Sequence, residues 1–335
     1  MVRGQILLLT VFMSGAFCKS QSEPGQALLP WDEARVRRAV EVLTAEPHPM
    51  GSPRQAQLAD WLQKEGESLG LSVTVDTFPV SVPDPTLLDS SGSVMQKLTL
   101  DLTARNVYAK LKAPQGDCVV LVGSHYDSKR LDTGPSVGAN DSGSTSAALL
   151  EIMRQLKERS DLKCSIMAVW FDGEEAYLPG WRDGEDRHPA RQQDNLYGSR
   201  HLAGQLQSCA PAQCLPDHLG GEKVKALVLL DMIGMPGVRL SLDSMSDPNL
   251  LAMAVDLDKK MFAGELYGRS YVRSSIDDHV PFMDKGVPAV DLIDFDNLQT
   301  WHQPSDRPET LDYKSIEKVS QLAMALVVKL AQPGP

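Results

Sequence analysis

KCSIMAVWFDGEE, residues 163–175, decides the fold. Its apolar run, Ile166 to Phe171, is short and is bounded by charge and glycine. Such a run reads as a central strand buried on both faces. Asp172, Glu174 and Glu175 stand at its C-terminal end. In α/β sheets chemistry collects at the carboxyl ends of strands. Neighbouring side chains point in different directions, so one of two adjacent glutamates can hold a metal while the other moves protons.

Outward from that strand, further apolar runs at Cys118–Val122, Lys225–Ile233 and Gly286–Ile293 read as strands. They alternate with helix patterns at Ser142–Leu156, Asn195–Leu206, Pro248–Phe262 and Tyr313–Leu330. Upstream, Trp31–Leu43 is a helix capped by Asp32, and a second helix runs from Ser52 to about Leu69. Leu71–Phe78 and Ala104–Leu111 are strands, and residues 80–98 and 178–193 are loops. APQGD reads as a hairpin-like turn between Ala104–Leu111 and Cys118–Val122. The pattern implies an α/β fold: a single globular domain over residues 30–332, with a mixed, mostly parallel central sheet flanked by helices and an antiparallel edge.

The chain has 335 residues and a formal net charge of −11, which argues against nucleic-acid binding. Residues 1–22 have the outline of a secretory signal peptide: Arg3, an apolar run from Ile6 to Phe12, then small residues at Ser14, Gly15 and Ala16. The run is too short to span a bilayer. A cleaved signal makes the protein secreted or periplasmic. The alternatives are an uncleaved N-terminal anchor, or a lipoprotein acylated on Cys18, which the bulky Phe17 before it disfavours. Removal of Cys18 leaves Cys118, Cys164, Cys209 and Cys214. Cys209 could pair with Cys214 across a short loop, and Cys118 with Cys164 if their strands are neighbours; four free thiols is the alternative.

Acids and histidines recur just past the strand ends, in HYDSK (125–129), GANDS (138–142), DGEE, DMIG (231–234), IDDH (276–279) and TWH (300–302). A parallel sheet brings all of them to one edge. Imidazole and carboxylate together suit zinc, which takes three protein ligands and keeps an open position. Taken singly, Asp141 reads equally as a helix cap, His125 as a surface histidine and His302 as packing beside Trp301. Asp231 resists a bland account, because burying an unpaired carboxylate is costly.

With DNLYGSRHLA (194–203) and IDDHVPFMDKGVP (276–288), these stretches resemble the zinc-dependent exopeptidase fold family of aminopeptidases and glutaminyl-peptide cyclotransferases, and the cyclotransferases most. DGEE, the HxD pattern and DMIG are common to both branches. Trp301-His302, Asp141-Ser142 and DNLYGSRHLA are cyclase-like. The resemblance implies one zinc held by Asp141, Glu175 and His302, with Glu174 as general acid/base. It also implies an acid network of Asp231 and Asp277, with Asp278 the adjacent alternative, and a pocket lined by Trp301 and Trp181. Trp181 is followed by an insertion of open role before Asp194. Animal cyclases carry a disulfide where this chain has Ser124 and Ser146, so that bridge is absent.

The implied substrate is a peptide or protein with an N-terminal glutamine, cyclised to pyroglutamate with loss of ammonia. The alternative is a metallo-aminopeptidase in which His125 and Asp231 serve a second zinc. A non-catalytic scaffold would have lost the acid/base or a ligand, and neither is lost.

Overall fold

The computed structural model describes residues 29–87, 98–114, 116–180, 188 and 190–332. The signal-peptide segment and Trp181 lie outside the described residues. No described helix is long and apolar enough to cross a membrane.

Among the described residues, ten strands and seven helices follow in chain order: α1 (Glu33–Leu43), α2 (Pro53–Ser68), β1 (Ser72–Pro83), β2 (Thr99–Leu111), β3 (Cys118–His125), α3 (Ser144–Leu156), β4 (Ser165–Phe171), α4 (Tyr197–Gln205), β5 (Gln207–Cys209), β6 (Ala212–Cys214), β7 (Lys223–Asp231), β8 (Leu242–Asp243), α5 (Pro248–Phe262), β9 (Val272–Arg273), α6 (Val280–Met283), β10 (Ala289–Ile293) and α7 (Tyr313–Leu330). Helix starts follow from side-chain caps. Asp32 accepts the Arg35 N–H at 2.9 Å and Ser52 the Gln55 N–H at 3.1 Å, each satisfying a donor the helix itself leaves open.

The main sheet runs β1-β2-β4-β3-β7-β6-β5, with β10 also on β7. β4, β3, β7 and β10 are mutually parallel; β1 and β2 are antiparallel, as are β5 and β6. The mixed, partly parallel architecture is as expected from the alternating pattern, but the hairpin is not. β4 lies between β2 and β3, pairing antiparallel with β2 and parallel with β3. APQGD therefore joins strands that are not neighbours. β1 also runs on to Pro83, five residues beyond the expected Phe78, because its partner β2 begins at Thr99 and offers a ladder over that whole length.

β4 shows why a central parallel strand is apolar throughout. Ile166, Ala168 and Trp170 enter the core beneath α1, α3 and α7. Met167, Val169 and Phe171 enter a second core on the opposite face, against Leu202 of α4 and Phe282 of α6. Each large side chain so buried contributes about 1.5–3 kcal/mol. Cys118 and Cys164 open adjacent strands and form a disulfide, and Cys209–Cys214 closes the β5–β6 hairpin. At the positions of the missing animal bridge, Ser124 Oγ bonds Thr145 Oγ1 at 2.8 Å and Ser146 Oγ donates to the His125 carbonyl at 2.7 Å.

Candidate active site

The parallel strands deliver the site. β3 ends on His125, β7 ends on Asp231, β4 is followed by Asp172-Gly173-Glu174-Glu175, and β10 is followed by the loop bearing Trp301 and His302. Asp141 lies in the turn before α3. Gly173 has φ +72°, and a Cβ there would come within 2.3 Å of Met50 Sδ. Only glycine turns the chain tightly enough to aim both glutamates inward. Asp172 turns away from them: its Oδ2 accepts the Arg105 N–H at 2.6 Å, tying the end of β4 to β2.

Two acid–histidine groups meet at Asp141. His302 Nε2 lies 3.1 Å from Glu175 Oε2 and 3.7 Å from Asp141 Oδ2. On the other side, His125 Nε2 lies 3.0 Å from Asp141 Oδ1 and 3.5 Å from Asp231 Oδ1. In each group the potential ligand atoms lie within 4.8 Å of one another. Both Glu175 oxygens are buried; Oε2 faces the His302 ring, and Oε1 has no hydrogen-bond partner. Lys129 Nζ stands 3.8 Å from Oε2. An unbonded buried carboxylate is expensive unless a cation faces it. The set of two carboxylates and one imidazole therefore fits a divalent metal such as zinc.

Charge is unevenly distributed across this cluster. Burial raises the Glu174 carboxyl well above its usual range; the Asp277, Glu175 and Asp278 charges add to that, and His125 opposes it. Burial would also raise Glu175, but His302, by charge and hydrogen bond, and Lys129 outweigh it and hold Glu175 below its usual value. Asp277 is pushed up to about 7, by burial first and then by the Asp231 charge. Asp231 is raised by burial. The two neighbouring glutamates thus differ in proton affinity, a division that suits one to ligation and the other to proton transfer.

Asp141, Glu174, Asp231, Asp277, Trp301 and His302 share a cavity of about 260 Å³, walled also by Ile276 and Phe295. Trp301 meets Phe295 edge-on at 5.8 Å and stacks on the His302 ring at 4.0 Å. Glu175 and His125 are buried and do not line the cavity. Asp278, the alternative to Asp277, is fully buried and does not line the cavity.

Three supporting residues carry no sequence-based role. Asp127, within HYDSK, accepts the N–H of Glu174 at 3.1 Å and of Glu175 at 3.3 Å. Asp306 accepts the N–H of Asn140 at 2.8 Å and of Asp141 at 3.1 Å. Lys129 Nζ donates to the carbonyls of Ala176 and Leu178. The HxD spacing was the available signal for Asp127, since both residues leave the same strand end. Asp306 had none.

Comparison with known proteins agrees with this geometry. The sequence profile of peptidase family M28 matches residues 106–327. A bovine protein named glutaminyl-peptide cyclotransferase is 30% identical over 240 residues, covering 63% of this chain and 62% of its own length. A Drosophila melanogaster protein of the same name is 26% identical over 323 residues, 89% of this chain and 80% of its own. Among solved structures, an Acidobacteriales bacterium glutaminyl cyclase superposes with TM-score 0.74 at 25% identity, covering 94% of this chain and all of that one. A Zn-dependent exopeptidase from Parabacteroides distasonis, with TM-score 0.73 and 20% identity over 90% of this chain and 99% of its own, shares the fold. With the profile spanning all four parallel strands and the acid–histidine cluster at their ends, the chain belongs to peptidase family M28.

Proposed function

We propose that the chain is a zinc-dependent glutaminyl-peptide cyclotransferase, converting N-terminal glutaminyl residues of peptides or proteins to pyroglutamate. The observation that carries this is the pairing of the Asp141–Glu175–His302 group with a buried Glu174 of raised proton affinity on a small cavity walled by Trp301 and Phe295. The names of the bovine, Drosophila and Acidobacteriales relatives support it. Asp141, Glu175 and His302 would hold the zinc, which when bound supplies a Lewis acid for an amide oxygen.

The remaining work falls to the protein's own groups. The cavity of about 260 Å³ admits one side chain folded back on its own amine, and that orientation removes much of the entropic barrier. Trp301 and Phe295 limit the water that can reach the reacting carbonyl, so hydrolysis competes less. The α-amine forms a bond to the γ-carbonyl carbon, and the bond from that carbon to the side-chain nitrogen breaks. Glu174 takes the proton the amine gives up and passes it to the departing ammonia. Asp277 adds to the proton affinity of the Glu174 carboxyl, and Asp231 completes the acid group on that side of the cavity.

One observation favours a second reading, a metallo-aminopeptidase. His125, Asp141 and Asp231 form a second group that shares Asp141 with the first, as a two-metal site would require. In the cyclase, the direct contact of His125 Nε2 with Asp141 Oδ1 orients a ligand instead. Mass analysis of a Gln-initiated peptide incubated with the zinc-loaded protein separates the two. Loss of ammonia with the chain intact is expected. Release of free glutamine, or trimming of Leu-initiated peptides, would overturn the cyclase. Export from the cytosol accompanies this proposal, supported by two disulfides and by the N-terminal charge and apolar pattern.

A further inference from the structure

A third acid–histidine group, Asp243, His279 and Asp291, lies outside the cavity. All three are fully buried. Asp243 closes the two-residue strand β8, which pairs with β9. From there its carboxylate reaches the segment that carries Asp277 at two points. Oδ1 accepts the N–H of Ser275 at 2.9 Å, two residues before Asp277. Oδ2 lies 3.1 Å from Nε2 of His279, two residues after it. Asp243 is itself held: Oδ1 accepts the Met245 N–H at 3.3 Å, and Oδ2 accepts the Ser246 hydroxyl at 2.7 Å. Ser246 Oγ in turn accepts the N–H of Asp291 on β10 at 3.0 Å.

The Asp277 carboxylate is bonded locally, Oδ1 accepting the N–H of Asp278 at 2.5 Å. Asp291 of β10 adds a contact with that carboxylate, and the rest of its placement in the cavity follows from where the chain on either side is pinned. Ile276 beside it is 38% exposed, so packing at that point is weak.

We propose that Asp243 is a positioning residue for the cyclisation: a brace that grips the chain on both sides of Asp277 and fixes the Asp277 carboxylate against Glu174. The proposal rests on the cyclase function given above. Asp243 touches neither substrate nor the zinc ligands. One oxygen faces the His279 ring and the other accepts the Ser275 N–H, so the carboxylate meets the turn at both ends. β8 and β9, otherwise a minimal two-stranded ribbon, serve to anchor that brace.

A double-mutant cycle tests it. Asp243→Asn, Asp277→Asn and the double variant are assayed for ammonia release from a Gln-initiated peptide, with zinc per chain measured for each. Asp243→Asn should lower kcat about 10- to 100-fold, since small displacements of reacting groups cost that much, with KM and zinc content held. On the Asp277→Asn background the same change should cost less than about threefold, because a residue acting through Asp277 has nothing left to position. An equal loss on both backgrounds would make Asp243 merely structural and overturn the proposal. Unchanged kcat, or loss of a zinc equivalent in Asp243→Asn, would overturn it too. If Asp243→Asn fails to fold, Ser246→Ala, which removes one bond to Oδ2, replaces it in the cycle. Absence of ammonia release by the wild-type protein would count against the cyclase function and leaves a different signature from any of these.

Discussion

Asp127 accepts the backbone N–H of Glu174, 3.1 Å away, and through its other oxygen that of Glu175. One carboxylate at the end of β3 thus fixes the direction of both glutamates at the end of β4. Asp127→Ala should misplace the two together. We expect kcat to fall about 100-fold, and zinc to be lost more readily to a chelator. A variant that kept both properties would show that β4 and Gly173 suffice. Asp127→Asn retains one acceptor oxygen and should fall between.

Glu174→Gln keeps volume and removes the proton-carrying group. Turnover should drop by at least about 10²-fold with zinc content unchanged. Glu175→Gln and His302→Ala should instead lower zinc per chain. If Glu174→Gln loses metal and Glu175→Gln does not, the two roles are reversed.

Asp277, pushed to about 7 in the folded chain, gives a pH test with a definite sign. The unfolded carboxyl ionises near its ordinary value, about 3.9. Between those two values the folded state binds more protons, so this group's contribution to stability falls as pH rises and levels off above about 7. Asp277→Asn removes that penalty. In metal-free protein, denaturant midpoints of variant and wild type should therefore diverge from pH 4 to pH 7 in favour of the variant. The gap should be on the order of a few kcal/mol, at about 1.4 kcal/mol per pH unit. A gap that does not change with pH would refute the assignment.

The disulfides should contribute unequally. Cys118–Cys164 closes a separation of 46 residues and Cys209–Cys214 one of 5. Loop-closure entropy grows with length, so replacing the first pair by alanine should cost about 2–4 kcal/mol and the second less. Thermal unfolding of the two double variants checks the order; equal losses would contradict it.

The sequence by itself determined the class of fold and most of the cavity. KCSIMAVWFDGEE must be a strand buried on both faces, and a strand of that kind requires a parallel sheet covered by helices. Carboxyl ends of parallel strands fall on one edge, so His125, Glu174, Glu175, Asp231 and His302 could be grouped from linear spacing alone. Strand order was another matter. The insertion of β4 between β2 and β3 depends on which apolar faces pack against α1, α3 and the opposite core, and nothing local to APQGD encodes it. The bracing acids were equally hidden. Asp306 holds the Asp141 turn from 165 residues away, and Asp243 holds the Asp277 turn from a two-residue strand with no periodicity to read. A short acidic residue in a loop has the same local signature whether it faces water or ties two distant turns together. Only burial, which removes water as the alternative partner, makes that choice.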